Sequence, residues 1–292
     1  MKPQIAMRGG IIGLCVTLTA SLALASCSDR SSPSSRGESV YDRVSRTGIL
    51  RAAYIVYPPS LSKDANTGEI SGISADVMRR VAEDLGLRLE WTEEVGWSTM
   101  IEGLEADRYD LAVSGIWQNA SRARHVDFSK PLFYSGIGAY VRVGDNRFEP
   151  SLANVNQSSV RIATIDGEMS DIIARSQFPN ATRVSLPQIS DVSQMLLNVK
   201  NSRADITFAE PAVVSGFLRN NPRSLRNLRA DNPFRVFGNT VIFRRGQYEF
   251  ARMLNTAIDT LGNSGEIDRI VDRYEPEPGD FYRVASPYRS RN

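Results

Sequence analysis

The chain has 292 residues, with 35 Lys and Arg against 33 Asp and Glu, a single His and two Cys. A net charge of +2 supplies no basic stripe able to grip a phosphate backbone, so no nucleic-acid partner is expected. One histidine, His125, gives neither a zinc site nor a serine triad, and two cysteines give no disulfide framework; no metal or cofactor is expected.

At the start of the chain, Lys2 and Arg8 precede an uncharged apolar run from Ile11 to Ala25. The run is shorter than the roughly 20 residues a helix needs to cross a bilayer, and its order of elements is that of a secretory signal peptide over residues 1–26. Subtracting Lys2 and Arg8 leaves 33 basic side chains against 33 acidic ones, so the remainder is close to neutral. The leader ends in Leu24-Ala25-Ser26-Cys27, which resembles the lipobox of bacterial lipoproteins. That resemblance implies cleavage before Cys27 and acylation of its thiol, palmitate included, which would anchor the protein to the extracytoplasmic face of a bacterial membrane. Residues 27–39 are Ser-rich with Pro33 and Gly37, and are expected to form a flexible tether.

Beyond the tether, strand-like and helix-like runs alternate, the pattern of an α/β chain built on mainly parallel sheets. Ile49 to Ile55 reads as a strand, and Ile73, Val77, Val81 and Leu85 form one helical stripe. Leu87 to Trp91 is the next strand, Ser98 is a candidate cap for a helix through Ile101 and Leu104, and Asp110 to Ile116 is a third strand. A similar unit follows Gly144: strand Val160 to Ile165, helix Ser170 to Ser176, strand Thr182 to Leu186, a helix opened by Asp191, and a buried strand Ala204 to Ala209. Pro211 suits a first helical position, the arginines between Arg219 and Arg229 read as a solvated lobe surface, and Val236 to Phe243 reads as a strand. Phe250, Leu254, Ala257 and Leu261, then Ile267, Ile270 and Val271, mark two closing helices before a proline-rich tail from Pro276.

Four segments carry a resemblance to a known family: Gly72-Ile73-Ser74-Ala75-Asp76-Val77, Leu104 with Tyr109-Asp110-Leu111, Arg122 through Val126-Asp127-Phe128-Ser129-Lys130-Pro131, and Leu261 with Gly265-Glu266-Ile267. Together they are similar to the family 3 bacterial extracellular solute-binding proteins, which deliver polar amino acids to ABC importers. The resemblance implies an α/β, two-lobed periplasmic binding protein-like (type II) fold with two hinge-crossing strands, near Ala139–Val143 and Phe237–Ile242. Lobe 1 would comprise residues 40–140 and 241–292, and lobe 2 residues 141–240.

It also implies a ligand-binding set. Arg122 aligns with the arginine that holds a ligand α-carboxylate, and its planar fork suits that group. Ser114 and Gly115 end a strand at its carboxyl side, where open α/β sheets receive ligands, and would offer main-chain contacts. Trp117 and Tyr57 would form an aromatic wall, whereas Trp97 reads as core. Asn119 stands where threonine is frequent. Ser170 would help at a helix N-terminus, and Glu210 occupies a position that pairs with a ligand amino group. Gly167 is followed by Glu168, where the family commonly has Ser or Thr, and Glu168 is a candidate selector of a cationic or hydroxylated ligand.

The expected function is that of a monomeric substrate-binding lipoprotein of an ABC importer, not an enzyme, closing its lobes on an amino acid or similar small carboxylated solute and presenting it to the permease. Two alternatives stand beside it. One is a periplasmic cyclohexadienyl dehydratase-like enzyme on the same fold, with Glu168 or Asp171 as general acid. The other is a lipoprotein that presents its ligand to a separate sensor.

Overall fold

The computed structural model describes residues 38–149 and 151–284. The leader, Cys27 and the tether up to residue 37 lie outside the described residues. Ser39, expected as the last tether residue, belongs to the fold: its hydroxyl accepts from Asp42 N and caps helix Val40–Thr47.

In the first lobe, strand Ile49–Tyr54 lies between Arg88–Glu94 and Leu111–Trp117, parallel to both. Every residue of Leu111–Trp117 is buried, as expected of a central strand covered on both faces. Helix Ile73–Asp84 covers one face through Ile73, Val77, Met78 and Val81, all fully buried and set at helical spacing. Helices Tyr248–Asn263 and Glu266–Tyr274 complete that layer.

The second lobe repeats the plan. Strand Arg161–Ile165 lies parallel to Thr182–Leu186 and to Ile206–Ala209, with helices Met169–Gln177, Val192–Lys200 and Pro211–Asn220 packed around it. Asp191 caps its helix by accepting from Ser193 N, and Pro211 takes the first helical position.

The two sheets are continuous through strand Phe133–Arg142, giving an eleven-stranded sheet of the two-lobed type II architecture. Its first half, Phe133–Ile137, pairs antiparallel with Arg235–Asn239 of lobe 1, and its second half, Gly138–Val141, pairs antiparallel with Ile206–Ala209 of lobe 2. The outward crossing therefore falls between Ile137 and Gly138, slightly before the boundary at residue 140 read from the sequence. The return falls between Leu228, whose N–H bonds Ala139 O, and Phe234, whose N–H bonds Ile137 O. The expected return at Phe237–Ile242 is instead fully inside lobe 1, because strand Arg235–Arg244 pairs along its length with Phe133–Ile137 and Leu111–Trp117.

Two further readings are corrected. Ser98 does not cap the short helix Met100–Glu105; Thr99 precedes it without a side-chain cap bond, and Ser98 N donates to Gln188 Oε1 of the other lobe at 2.8 Å. The arginine-rich stretch is not all lobe surface, since Leu225–Asn227 pairs with Tyr140–Arg142 beside the crossing. No helix among the described residues is long and apolar enough to cross a membrane.

Candidate functional site at the lobe junction

Loops that follow the carboxyl ends of strands in both lobes meet at one place, where Arg122, Glu168 and Glu210 are buried. Arg122 opens a 3-10 turn, Arg122–Arg124. Asn119 Oδ1 holds that turn by accepting from Arg122 N at 2.9 Å and from the Ser121 hydroxyl at 2.7 Å. The guanidinium then lies 5.8 Å from the Trp97 ring and donates through Nη2 to Gly167 O of the other lobe at 2.7 Å. Burial lowers the Arg122 pKa to about 10 against the opposing pull of Glu168, so it remains a cation at neutral pH.

Trp97 meets Tyr57 edge to face at 5.5 Å. Burial pushes the Tyr57 phenol well up, and the charges of Glu210 and Glu168 push it further. Glu168 is buried at the N-terminus of helix Met169–Gln177, where it accepts from Ser170 N at 2.7 Å and from the Ser170 hydroxyl. Its pKa is raised by burial, against the Ser170 and Met169 bonds and the charge of Arg122.

Glu210 is different in kind. It is 0% exposed, immediately precedes helix Pro211–Asn220, and neither carboxyl oxygen has a hydrogen-bond partner. Burial raises its pKa to about 8, with Ser135 and Trp117 opposing and the charges of Glu168 and Asp280 adding. Trp117 Nε1 donates to Asn239 Oδ1 at 2.8 Å and Asn239 Nδ2 donates to Ser135 Oγ at 2.6 Å, so the indole is engaged, while the Ser135 hydroxyl accepts in that bond and keeps its own proton on the side of Glu210. The Trp117 ring stacks on Phe237 at 4.8 Å. An unpartnered buried carboxyl costs several kcal/mol unless something supplies the missing partner.

The structure thus brings Arg122, Tyr57, Trp117 and Glu210 together. Gly115 sits in a close approach, where a Cβ would meet Ser60 Oγ at 3.0 Å and Asn239 Oδ1 at 3.2 Å. The side chains of the other expected residues bond within their own lobes. The Ser114 hydroxyl donates to Ile55 O at 2.9 Å and its carbonyl accepts from Ser74, so it ties strands within lobe 1. Asn119 positions Arg122 through the turn, and Ser170 serves Glu168 while accepting from Ile165 N at 3.2 Å. Asp171, a candidate acid, is held by Arg175 and Arg183.

Trp97 is core as expected and also lies under Arg122, a contact sequence reading missed along with Ser60, whose buried hydroxyl has no partner. The available signal was position, since both lie in loops just beyond strand carboxyl ends. Among the described residues no cluster of His, Cys, Asp and Glu could hold a metal ion.

Comparison with known proteins agrees with this architecture. A protein of Haemophilus influenzae named as a probable amino-acid ABC transporter-binding protein is 24% identical over 232 residues, 79% of this chain and 86% of that one. The cyclohexadienyl dehydratase of Pseudomonas aeruginosa is 26% identical over 163 residues, 56% of this chain and 60% of that one. Among solved structures, the ancestral amino acid-binding protein AncCDT-1, described as a precursor of cyclohexadienyl dehydratase, superposes with a TM-score of 0.71 at 21% identity, covering 82% of this chain and 100% of that one. The family model for bacterial extracellular solute-binding proteins, family 3, matches residues 50–277, and the chain belongs to that family.

Proposed function

We propose that this protein is the substrate-binding component of an ABC importer, closing its lobes over an amino acid or a similar small solute that carries an ammonium group. The observation that carries this reading is Glu210, a fully buried carboxyl at the lobe junction with no partner of its own. A group in that state is stabilised by an arriving cation. The amino-acid-binding relatives support the same reading at the level of solute class. Cys27 would carry the lipid, the chain would act as a monomer on the extracytoplasmic face of the membrane, and its acceptor would be the permease.

The test is thermal unfolding of the full chain, refolded to strip any carried-over ligand, against amino acids, amines and small carboxylic acids. A ligand present at 100 times its Kd adds roughly 2.7 kcal/mol, which is several degrees in Tm for a protein of this size. A shift is expected with an ammonium-bearing compound and is expected to vanish in Glu210→Gln. Shifts confined to carboxylates without an amino group would overturn the reading.

One observation favours a second reading. A carboxyl whose pKa is raised to about 8 holds its proton at neutral pH, which is what a general acid for loss of a hydroxyl group requires. On that reading the chain is an enzyme like its cyclohexadienyl dehydratase relative, with Glu210 rather than Glu168 or Asp171 as the acid. Incubation with a cyclohexadienyl acid, followed by ultraviolet absorbance of an aromatic product, separates the two: turnover lost in Glu210→Gln supports the enzyme, and tight binding without turnover supports the importer.

A further inference from the structure

The site holds three buried charge-bearing side chains, and they do not balance. Arg122 Nη2 bonds the carbonyl of Gly167, the residue before Glu168, at 2.7 Å, and the two side chains shift one another's ionisation in the directions of an attractive pair. Glu210 has no such counterpart. With Glu168 and Glu210 against Arg122, the site carries one more potential negative charge than positive.

The position of Glu168 sharpens this. A ligand carboxylate entering such a site would seek the exposed N–H groups at a helix N-terminus and a nearby guanidinium. Here the protein's own carboxylate is already on the N-terminus of helix Met169–Gln177, held by Ser170 N and the Ser170 hydroxyl and attracted by Arg122. A ligand carboxylate would have to evict Glu168, leaving a buried anion without partners, or share its donors at the expense of both. An ammonium meets no such competitor. It finds in Glu210 a fully buried carboxyl whose oxygens lack hydrogen-bond partners, in a site where the Trp97 ring already lies under one cation, the Arg122 guanidinium.

Resting on the solute-binding reading above, we propose that the ligand class of this cleft is small aliphatic amines and diamines lacking an α-carboxylate, with the ammonium on Glu210 and Glu168 acting as a built-in occupant of the carboxylate subsite. The protein therefore selects against the zwitterionic parent amino acid and for its decarboxylated counterpart.

Matched pairs that differ only in the α-carboxylate test this. Calorimetric titration of the refolded full chain with cadaverine against lysine, and with agmatine against arginine, should give at least tenfold tighter binding of the amine in each pair. Glu168→Thr keeps a helix-capping side chain while vacating the carboxylate subsite, and should shrink that ratio at least tenfold by admitting the amino acid. Thermal unfolding of both forms establishes that the variant is folded. Tighter binding of lysine or arginine in the unaltered protein overturns the proposal and leaves the solute-binding reading intact, as does a ratio that Glu168→Thr does not move. Binding of neither pair, with an uncharged or acidic compound bound instead, overturns both.

Discussion

Glu210 links ionisation to stability. In the unfolded chain its carboxyl has the ordinary pKa of about 4.5, and in the folded protein burial raises it to about 8. The folded state thus binds more protons than the unfolded state between those values, so stability without ligand falls as pH rises through that window and levels off above about 8. The slope for one proton is about 1.4 kcal/mol per pH unit. Glu168 is displaced in the same direction by burial and adds to the same trend, as does Asp280, while Tyr57 and Tyr140 are pushed up by burial and by the charge of Glu210. Urea unfolding at pH 5, 6.5 and 8 is expected to show declining stability, and the decline should be shallower in Glu210→Gln, which retains the shape without the charge. An equal slope in the variant would assign the effect to other groups. A cationic ligand inverts the trend, since its binding expels the Glu210 proton and tightens as pH rises toward 8.

Between residues and lobes stands a device used twice. Asp110, just before the central strand of lobe 1, accepts from Arg51 N at 2.7 Å and pairs with the Arg51 and Arg43 side chains. Asp205, just before the corresponding strand of lobe 2, accepts from Arg161 N at 2.9 Å and pairs with Arg161 and Arg147. Each carboxylate ties the start of one strand to the start of its neighbour, and the arginine partners hold Asp205 down to about 2 despite its burial. Asp110→Ala strands a buried N–H and is expected to destabilise by roughly 1 to 3 kcal/mol, with Asp110→Asn milder because it keeps an acceptor; chemical unfolding measures both. Neither should change ligand preference. In the sequence these acids are visible only as charges beside strands. Strands and helices themselves were legible wherever one face is buried, as in Ile73, Val77 and Val81, because periodicity reports burial directly. The crossing was not: Phe133-Tyr134-Ser135-Gly136-Ile137 has no polar alternation, since nearly all of that segment is buried. At the site, the motif around Arg122 and the strand end before Glu210 located two charged groups. The commitment of Ser114, Asn119 and Ser170 to internal bonds, and the self-capping by Glu168, depend on contacts between segments far apart in sequence and leave no local pattern.

For the whole molecule, the two lobes share a buried apolar cluster, in which Tyr57, Val95 and Trp97 of one join Ile165, Val192 and Met195 of the other, and two hydrogen bonds cross beside it. Arg122 Nη2 reaches Gly167 O at 2.7 Å, and Ser98 N reaches Gln188 Oε1 at 2.8 Å. Gly167 has a φ of +75°, and a Cβ there would meet Ser98 Oγ of the opposite lobe at 2.5 Å. The missing side chain thus serves both the turn before the helix and the approach of the lobes. Gly167→Ala is expected to incur about 1 kcal/mol of local backbone strain and, separately, to obstruct closure. Closure gathers the polar contacts of both lobes around the ligand, so obstruction should weaken binding at least tenfold and enlarge the radius of gyration of the ligand-saturated protein in solution scattering. Removing the obstacle separates the two effects. In Gly167→Ala with Ser98→Gly, closure and affinity should recover in part while the lowered Tm remains, because the strained φ lies within one lobe and is indifferent to residue 98. If the second substitution restores neither affinity nor compactness, the Gly167–Ser98 approach does not govern closure.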